Sequence, residues 1–294
     1  MRYVVIGGAG FIGSHLCEQL SEDHEVFSID DYSAGYEENL NHLNVTQIKW
    51  DITEYPGLRY ALKGIGRIDG IFNQAASKKN VCLARPERDL QVNIAGAFNV
   101  AKIAKELDVK LVHASTGSVY GEAVGLQDED HPTNPVSYYG ISKLAGEKYA
   151  KFIADAVILR YFHVFGTRQE SKDDRGGVLA IWLRRLQEGK PIILFGDGSQ
   201  ERSFTYVKDV VRANILAMEK GNGIYNVASG YEYKLSDMID ILKTMYNVEI
   251  AQMDWMEGDV KKFYVDNSRL ERLGIKDWKT LSEGMYDMGC GVHL

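Results

Sequence analysis

A glycine-rich turn joins the first strand pattern of this chain to its first helical pattern. The apolar segment 2–6 is followed by Gly7, Gly8, Gly10 and Gly13, which fit both G-x-G-x-x-G and G-x-x-G-x-x-G spacing. Glycines at these places permit a tight turn and let a pyrophosphate approach the backbone. The N-terminus of the next helix supplies amide donors and partial positive charge. The turn therefore predicts a dinucleotide site.

An aspartate stands where the second strand pattern ends. Asp30 follows the segment 25–29, about twenty residues after the turn, where the dinucleotide fingerprint has an acid. A carboxylate there accepts hydrogen bonds from the ribose hydroxyls and repels a 2′-phosphate, so we predict NAD rather than NADP. Asp51 and Ile52 close the third strand pattern. They could contact and cover the adenine, or form a plain turn.

Short apolar segments and longer helical patterns alternate through the first 160 residues. The predicted strands are 2–6, 25–29, 46–50, 68–72, 110–114 and 156–160. The predicted helices are 13–20, 88–107 and 139–153. Repeated strand–helix–strand units predict an α/β fold with a doubly wound parallel sheet, in which ligands bind at the carboxyl ends of the strands.

The alternation changes after Tyr161. The later predicted helices are 178–188, 207–219 and 235–245, and the later predicted strands are 191–195 and 223–227. No proline-rich linker separates the two parts. We therefore predict a Rossmann domain of residues 1–162, to which 203–228 returns, and a smaller substrate-binding lobe of residues 163–202 and 229–294.

Charge and composition exclude several classes of function. The net charge of the 294 residues is −7, which argues against a nucleic-acid surface. No apolar run approaches the roughly 18 residues of a membrane span. Cys17, Cys82 and Cys290 form no C-x-x-C motif, and the seven histidines show no metal-binding spacing. We expect a cytoplasmic protein with no metal, no membrane and no nucleic acid among its partners.

A tyrosine and a lysine share one face of the helix predicted at 139–153. Tyr139 and Lys143 are four residues apart, so their side chains point the same way. A phenol has an ordinary pKa of about 10, and a nearby ammonium favours the phenolate, so the tyrosine can act as a base near neutral pH. The spacing is common by itself, but with the glycine turn it is specific.

The glycine turn and the Tyr–Lys pair resemble those of the extended short-chain dehydrogenase/reductases, in particular the NAD-dependent nucleotide-sugar epimerase/dehydratase family. The resemblance covers nearly the whole chain. Its further motifs are residues 30–35, 51–52, 75–76, 93, 115–121, 159–162, 196–202, 207–210 and 225–227. It implies a nucleotide-diphosphate sugar as substrate, a UDP-sugar above all, and a homodimer formed through the helices predicted at 88–107 and 139–153.

The resemblance also implies a role for each matching residue. Tyr139 is expected to be the base, Lys143 its partner, and Thr116 the residue that bonds the sugar 4-hydroxyl. Beside Tyr139 and Lys143, the residues expected to bind NAD are Gly7, Gly10, Phe11, Ile12, Gly13, Asp30, Asp31, Ser33, Ala34, Gly35, Asp51, Ile52, Gln74, Ala75, Ala76, Lys78, Asn93, Ser115 and Phe162. Beside Thr116 and Tyr139, the residues expected to contact the substrate are Lys78, Ser118, His163, Val178, Arg202 and Phe263.

One departure from the family's pattern bears on the reaction. The 4,6-dehydratases carry an Asp–Glu pair after the threonine, and the sugar-acid decarboxylases keep a glutamate there, but this chain has Gly117 and Ser118. We therefore predict epimerisation at C4 through a 4-keto sugar. The alternatives are a dehydratase with another base, such as Cys82 or Glu122, and a protein that senses NAD without catalysis.

Other departures concern the substrate. His163 replaces an asparagine that usually touches the phosphates, and Met256 stands in place of an arginine of the diphosphate clamp, for which Arg168 or Lys261 could substitute. Phe263 is expected to border the sugar C2 substituent, unless it is an ordinary core residue. A large side chain there predicts a preference for plain hexoses or hexuronic acids over N-acetylhexosamines.

Overall fold

Seven parallel strands form the central sheet of this computed structural model, which describes residues 1–77, 84–122, 125–169, 176–255 and 264–288. Their bounds are Arg2–Ile6 (β1), Glu25–Asp30 (β2), Val45–Lys49 (β3), Gly70–Asn73 (β4), Leu111–Thr116 (β5), Val157–Tyr161 (β7) and Ile224–Val227 (β12). They lie in the order β3-β2-β1-β4-β5-β7-β12. Strand order reverses between β1 and β4, which is where a ligand crevice is expected in such a sheet.

Helices cover both faces of this sheet. Those of the first part are Phe11–Leu20 (α1), Tyr55–Gly64 (α2), Pro86–Asp89 (α3), Ala97–Leu107 (α4) and Tyr138–Ala154 (α5). The later ones are Val178–Gln187 (α6), Val207–Lys220 (α7), Leu235–Lys243 (α8), Ser268–Leu273 (α9) and Leu281–Asp287 (α10). Residues Leu90–Gly96 form π-helical turns between α3 and α4. No helix in the described ranges is both long enough and apolar enough to cross a membrane.

The sheet buries two layers of apolar side chains. Successive residues of a strand point to opposite faces, and in β1 Val5 joins the cluster under α1 and α7 while Val4 joins the cluster under α2 and α4. Both side chains are fully buried. This two-sided burial explains why the strands are continuous apolar runs rather than alternating patterns.

A third apolar cluster lies beyond the sheet, among α6, α8 and α10, and contains Trp182, Met238 and Leu281. Short strand pairs border it: Val164–Phe165 (β8) with Thr205–Tyr206 (β11), Ile192–Phe195 (β9) with Ile250–Met253 (β14), and Glu201–Arg202 (β10) with Tyr233–Lys234 (β13). A further pair joins Leu126–Gln127 (β6) to Tyr264–Val265 (β15). Leu270 and Trp278 pack with the sheet cluster instead, although they fall within the predicted lobe.

The predicted elements agree with the structure within about two residues at most ends, but α2, α9, α10 and the strands outside the central sheet other than β9 were not predicted. Helix α2 was not predicted, because Pro56 and Gly57 near its start are typical of turns. Proline is tolerated in the first helical turn, where its missing N–H has no partner to lose. The helix predicted at 88–107 is interrupted by the π-helical turns, which apolar spacing cannot reveal.

Candidate active site

The glycine turn lies at the carboxyl end of β1 and leaves no room for side chains. Gly7 has φ of +75°, and a Cβ atom there would lie 2.6 Å from the Ala75 nitrogen. A Cβ at Gly13 would lie 2.1 Å from the Gly7 oxygen. The Gly7 N–H donates to the Ile29 carbonyl at 2.7 Å, which fixes the turn against β2. The first turn of α1 is therefore exposed to the crevice with its amide groups available to an anion.

A cleft of about 360 Å³ opens at this edge of the sheet. Of the residues predicted to bind NAD, the cleft is lined by Gly7, Gly10, Phe11, Ile12, Gly13, Asp30, Asp31, Ser33, Ala34, Gly35, Asp51, Ile52, Gln74, Ala75 and Ala76. It is also lined by residues that the sequence analysis missed: Ile29, Trp50, Ser77, Arg85, Arg88 and Val92. The structure thus brings the turn and the ends of β1 to β4 together around one space.

Asp30 forms part of the wall of this cleft and is 8% exposed. Its carboxylate accepts hydrogen bonds from the backbone N–H groups of Ala9, at 3.0 Å, and Tyr32, at 2.8 Å. Burial raises the pKa of the Asp30 carboxyl, and these backbone donors act in the opposite direction. Its position at the end of β2 suits the ribose contact that the fingerprint predicts.

Arg88 connects two other carboxylates of the cleft. Its Nη2 atom donates to Asp31 Oδ2 at 2.9 Å and to Asp51 Oδ2 at 3.0 Å. Burial acts to raise the pKa of Asp51, but hydrogen bonds from Thr53 and Arg88 outweigh it and lower that pKa. No sequence pattern indicated this contact, because the three residues are far apart in the chain.

The predicted catalytic residues lie beyond the cleft, where β5 meets the first turns of α5. Lys143 is 2% exposed, and its Nζ donates to the Ala114 carbonyl at 2.6 Å. Thr116 ends β5 and accepts a hydrogen bond from the Ser118 N–H at 3.2 Å. A Cβ at Gly140 would lie 2.6 Å from the Ser118 oxygen, so the helix turn that carries Tyr139 packs directly on the segment after Thr116.

The ring of Phe162 is buried against this segment. It contacts Gly117 and stacks on Tyr120 with ring centroids 6.2 Å apart. Any side chain at Gly117 would collide with that ring, since its Cβ would lie 2.3 Å from Phe162 Cε1. The local packing therefore requires glycine where the dehydratases carry an acid.

A buried ion pair supports the catalytic segment from behind. Arg160 donates to Glu147 through Nε at 3.1 Å and Nη2 at 2.6 Å, and both side chains are at most 2% exposed. Ser115 Oγ donates to Glu147 Oε2 at 2.9 Å, and Arg160 Nη1 donates to the Tyr120 hydroxyl at 2.7 Å. Glu147 was not among the predicted site residues, although its place four residues after Lys143 puts it on the same helix face.

His113 is fully buried in β5 beside the lysine. Its Nδ1 lies 3.1 Å from Asn73 Nδ2. Burial, together with the positive charge of Lys143, holds the pKa of His113 well below its ordinary value. His113 is therefore neutral near pH 7 and adds no second positive charge next to Lys143.

Two amide side chains join the cleft to the neighbouring helices. Asn93, in the π-helical turns, accepts from the Ser77 N–H at 2.8 Å and donates to Ser142 Oγ at 3.1 Å. Gln74 donates to Asn214 on α7 at 2.8 Å and accepts from the Tyr161 hydroxyl at 3.1 Å. Both amides thus fix the loop after β4 that forms one side of the cleft.

Three of the predicted substrate residues, His163, Val178 and Arg202, lie outside the strands of the central sheet. Arg202 is 9% exposed in β10, paired with Tyr233, and its Nη1 donates to the Glu201 carbonyl at 2.9 Å. His163 has φ of +35° and lies edge-on to Phe204. Val178 begins α6 and is half-buried. None of the three lines the cleft between β1 and β4.

Several predictions fall outside the described residues, namely those on Lys78, Cys82, Met256, Lys261 and Phe263. Arg168, one possible stand-in for the missing arginine, donates to Glu18 of α1 at 2.6 Å.

In the described parts of the chain, no group of three or more histidine, cysteine, aspartate or glutamate residues could hold a metal ion.

Relatives of known activity resemble this chain over nearly its full length. UDP-glucose 4-epimerase of Mycolicibacterium smegmatis is 34% identical over 312 residues, which cover 97% of this chain and 96% of that protein. The crystal structure of UDP-glucose 4-epimerase from Thermotoga maritima with UDP-glucose has a TM-score of 0.92 and 34% identity, and covers 98% of this chain and 97% of that one.

A third relative is an enzyme of N-acetylated sugars. The structure of UDP-N-acetylglucosamine 4-epimerase from Methanobrevibacter ruminantium, in complex with UDP-N-acetylmuramic acid, has a TM-score of 0.92 and 32% identity. It covers 98% of this chain and 96% of that one. The family model for the NAD dependent epimerase/dehydratase family matches residues 3–228. The chain belongs to the NAD-dependent epimerase/dehydratase family.

Proposed function

We propose that this protein is a nucleotide-sugar 4-epimerase that keeps NAD bound through its catalytic cycle. The observation that carries the proposal is the junction of β5 and α5, where Lys143, Thr116 and the turn bearing Tyr139 pack together beside the cleft. Gly117 and Ser118 occupy the place of the dehydratase acid–base pair. The relatives that are UDP-sugar 4-epimerases support the same activity.

The cleft has the chemistry that NAD requires. The turn at Gly7 and Gly13 leaves the α1 amides open to a pyrophosphate. Asp30 presents a carboxylate at the end of β2 for the adenosine ribose, and Ile52, in the loop after β3, offers an apolar surface to the adenine. We assign Ser115, Asn93 and Phe162 to the nicotinamide side of the site. Phe162 packs against Gly117, and Asn93 holds the loop after β4 in place.

NAD, when bound, supplies the hydride acceptor and donor for C4 of the sugar. Tyr139 then takes the proton of the 4-hydroxyl and returns it after the sugar has presented its other face. Lys143, held by the Ala114 carbonyl, keeps positive charge near the tyrosine and favours its phenolate. Thr116 holds the 4-oxygen in line with Tyr139, and the buried packing around Phe162 keeps water away.

Incubation with a panel of UDP- and dTDP-sugars tests the proposal. Epimerisation inverts one carbinol and leaves the mass unchanged, so NMR should report a new sugar configuration at C4. A mass loss of one water would instead identify a dehydratase. Retention of NAD with no turnover of any nucleotide sugar would favour the cofactor-sensing alternative.

The same panel tests the predicted sugar preference. We expect plain hexoses or hexuronic acids to react faster than N-acetylhexosamines, because the family resemblance implies that a large residue, Phe263, borders the sugar C2 substituent. Comparing kcat/KM for UDP-glucose with that for UDP-N-acetylglucosamine measures the preference. A wild-type enzyme that favours the N-acetyl sugar would contradict it.

We further assign Arg202 to the substrate diphosphate. A charge-assisted hydrogen bond from a largely buried arginine contributes roughly 1.5–3 kcal/mol, so Arg202→Ala should weaken UDP binding by at least about tenfold. NAD binding should stay normal, because Arg202 lies outside the cleft between β1 and β4. Calorimetric titration with UDP measures the loss. Arg184→Ala is the control, because Arg184 of α6 forms an ion pair with Glu188, the residue after that helix. Unchanged UDP affinity in the Arg202 variant would place the clamp elsewhere.

A homodimer formed through the helices at 86–107 and 138–154 also belongs to the proposal. These helices expose Leu90, Phe98, Ile141, Tyr149 and Phe152, the last at 89%. Phe98 and Tyr149 meet edge-on with ring centroids 5.5 Å apart, so the two helices present one continuous apolar face. A second copy of the chain can bury this face by two-fold symmetry.

Phe152→Glu should therefore convert the dimer into a monomer, because a carboxylate within an apolar interface would be buried without a partner. Sedimentation velocity measures the change. Tyr60→Glu is the matched control, since Tyr60 is 83% exposed on α2, which is neither of these two helices. A Phe152→Glu protein that sediments as the wild type does would exclude this interface.

A further inference from the structure

Arg88 forms a bridge across one end of the cleft. Its Nη2 atom donates to Asp31, which follows β2, and to Asp51, which follows β3. Arg88 itself belongs to α3, which comes after β4 in the chain. All three residues line the cleft. One guanidinium nitrogen thus connects a helix to two strand ends around the same space.

The two carboxylates are held rigidly for this contact. The other oxygen of Asp31 accepts from the Ser33 N–H at 2.9 Å and from the Ser33 hydroxyl at 2.6 Å. The other oxygen of Asp51 accepts from the Thr53 N–H at 2.8 Å. Each carboxylate therefore has one oxygen fixed by its own loop and one oxygen directed to Arg88.

The bridge also changes the charge of the cleft. Asp30, Asp31 and Asp51 would place three negative charges near a cofactor that itself carries a pyrophosphate. Arg88 offsets part of that charge at direct contact distance. The ion pairs are only about a quarter exposed, so solvent screens them less than a surface pair.

We infer that Asp31, Arg88 and Asp51 form a clasp that retains NAD by closing the adenosine end of the cleft. The inference rests on the proposed function, in which the same NAD molecule must stay in place between the outward and return transfers at C4. Release of the adenosine end would require the Arg88 bridge to open on at least one side. The clasp therefore controls the dissociation rate of NAD rather than the chemistry at the sugar.

The test is the rate of NAD exchange in the holoenzyme. Protein loaded with NAD is mixed with an excess of isotope-labelled NAD, and the label that the protein retains is followed over time. Loss of a partly buried, hydrogen-bonded charge pair acts mainly on dissociation rates, so Arg88→Gln should speed exchange about tenfold or more. Arg88→Lys, which keeps a cation with several donors, should restore most of the slow exchange.

Two comparisons separate the clasp from other effects. Arg59→Gln removes an arginine outside the cleft, one that forms a partly exposed ion pair of 2.6 Å with Glu106, and should leave exchange close to that of the wild type. Raising the ionic strength to about 1 M, where the screening length is about 3 Å, should speed exchange in the wild type but not in Arg88→Gln.

The possible failures are distinguishable. Exchange that is equally slow in the wild type and in Arg88→Gln, or equally fast in the Arg59 and Arg88 variants, would overturn the clasp and leave the proposed function intact. A wild-type protein that binds no NAD would overturn both. Equal thermal stability of the NAD-free wild type and the Arg88 variant should accompany the expected result, because a loss of fold would lower both stability and NAD retention.

Discussion

Tyr139→Phe should lower kcat by at least about two orders of magnitude, the usual contribution of a general base. The substitution removes only the hydroxyl that takes the 4-hydroxyl proton and keeps the ring, so the packing of the first turn of α5 should persist. Both kcat and the amount of bound NAD should be measured. We expect full NAD retention and an unchanged thermal midpoint together with the loss of turnover.

The adjacent tyrosine provides a matched control. Tyr138 is 58% exposed, and Tyr138→Phe removes the same hydroxyl one residue earlier in the helix. It should leave kcat within about twofold of the wild type, as surface substitutions generally do. If Tyr139→Phe turned over substrate as fast as Tyr138→Phe, Tyr139 would not be the base.

Local patterns were enough to predict the parts of the site that depend on neighbours in the chain. The glycine turn must follow β1 and open α1 because its φ angles and close contacts exclude side chains. The place of Asp30 at the edge of the sheet follows from the length of β2, since that strand ends at this residue. Tyr139 and Lys143 share a face by helical spacing alone, and the structure puts the lysine against the Ala114 carbonyl.

Contacts between distant segments could not be predicted in this way. The Arg88 bridge depends on three elements separated by 37 and 57 residues, and arginine near a helix start carries no such signal. The π-helical turns around Asn93 shift the following residues without disturbing the apolar pattern. Glu147 is intermediate: its helix face was predictable, but its burial against Arg160 of β7 was not.

That buried pair gives the site its rigidity. Glu147 accepts a hydrogen bond from Ser115, the residue before Thr116. It lies on the helix that carries Tyr139 and Lys143. Arg160 extends the contact to Tyr120, which in turn donates to Asn226 of β12 at 2.7 Å. Three strands and one helix are thus joined behind the catalytic residues by groups that cannot reach water.

Glu147→Ala should lower the free energy of unfolding by about 3–5 kcal/mol, because it leaves the Arg160 charge buried without its partner. Urea denaturation of the NAD-free protein measures the change without a contribution from cofactor binding. Glu147→Gln keeps the shape and some hydrogen bonds, and should retain enough stability for measurement if the alanine variant does not fold.

A surface ion pair of the same length shows why burial decides the size of this effect. Glu106 and Arg59 also lie 2.6 Å apart, but water reaches both side chains. Glu106→Ala should therefore cost far less stability than Glu147→Ala, since the arginine it leaves behind is solvated. Equal losses in the two variants would show that Glu147 contributes no more than a surface contact. A large loss of stability in Glu147→Ala alone would mean that the buried ion pair between Glu147 and Arg160 holds the site together.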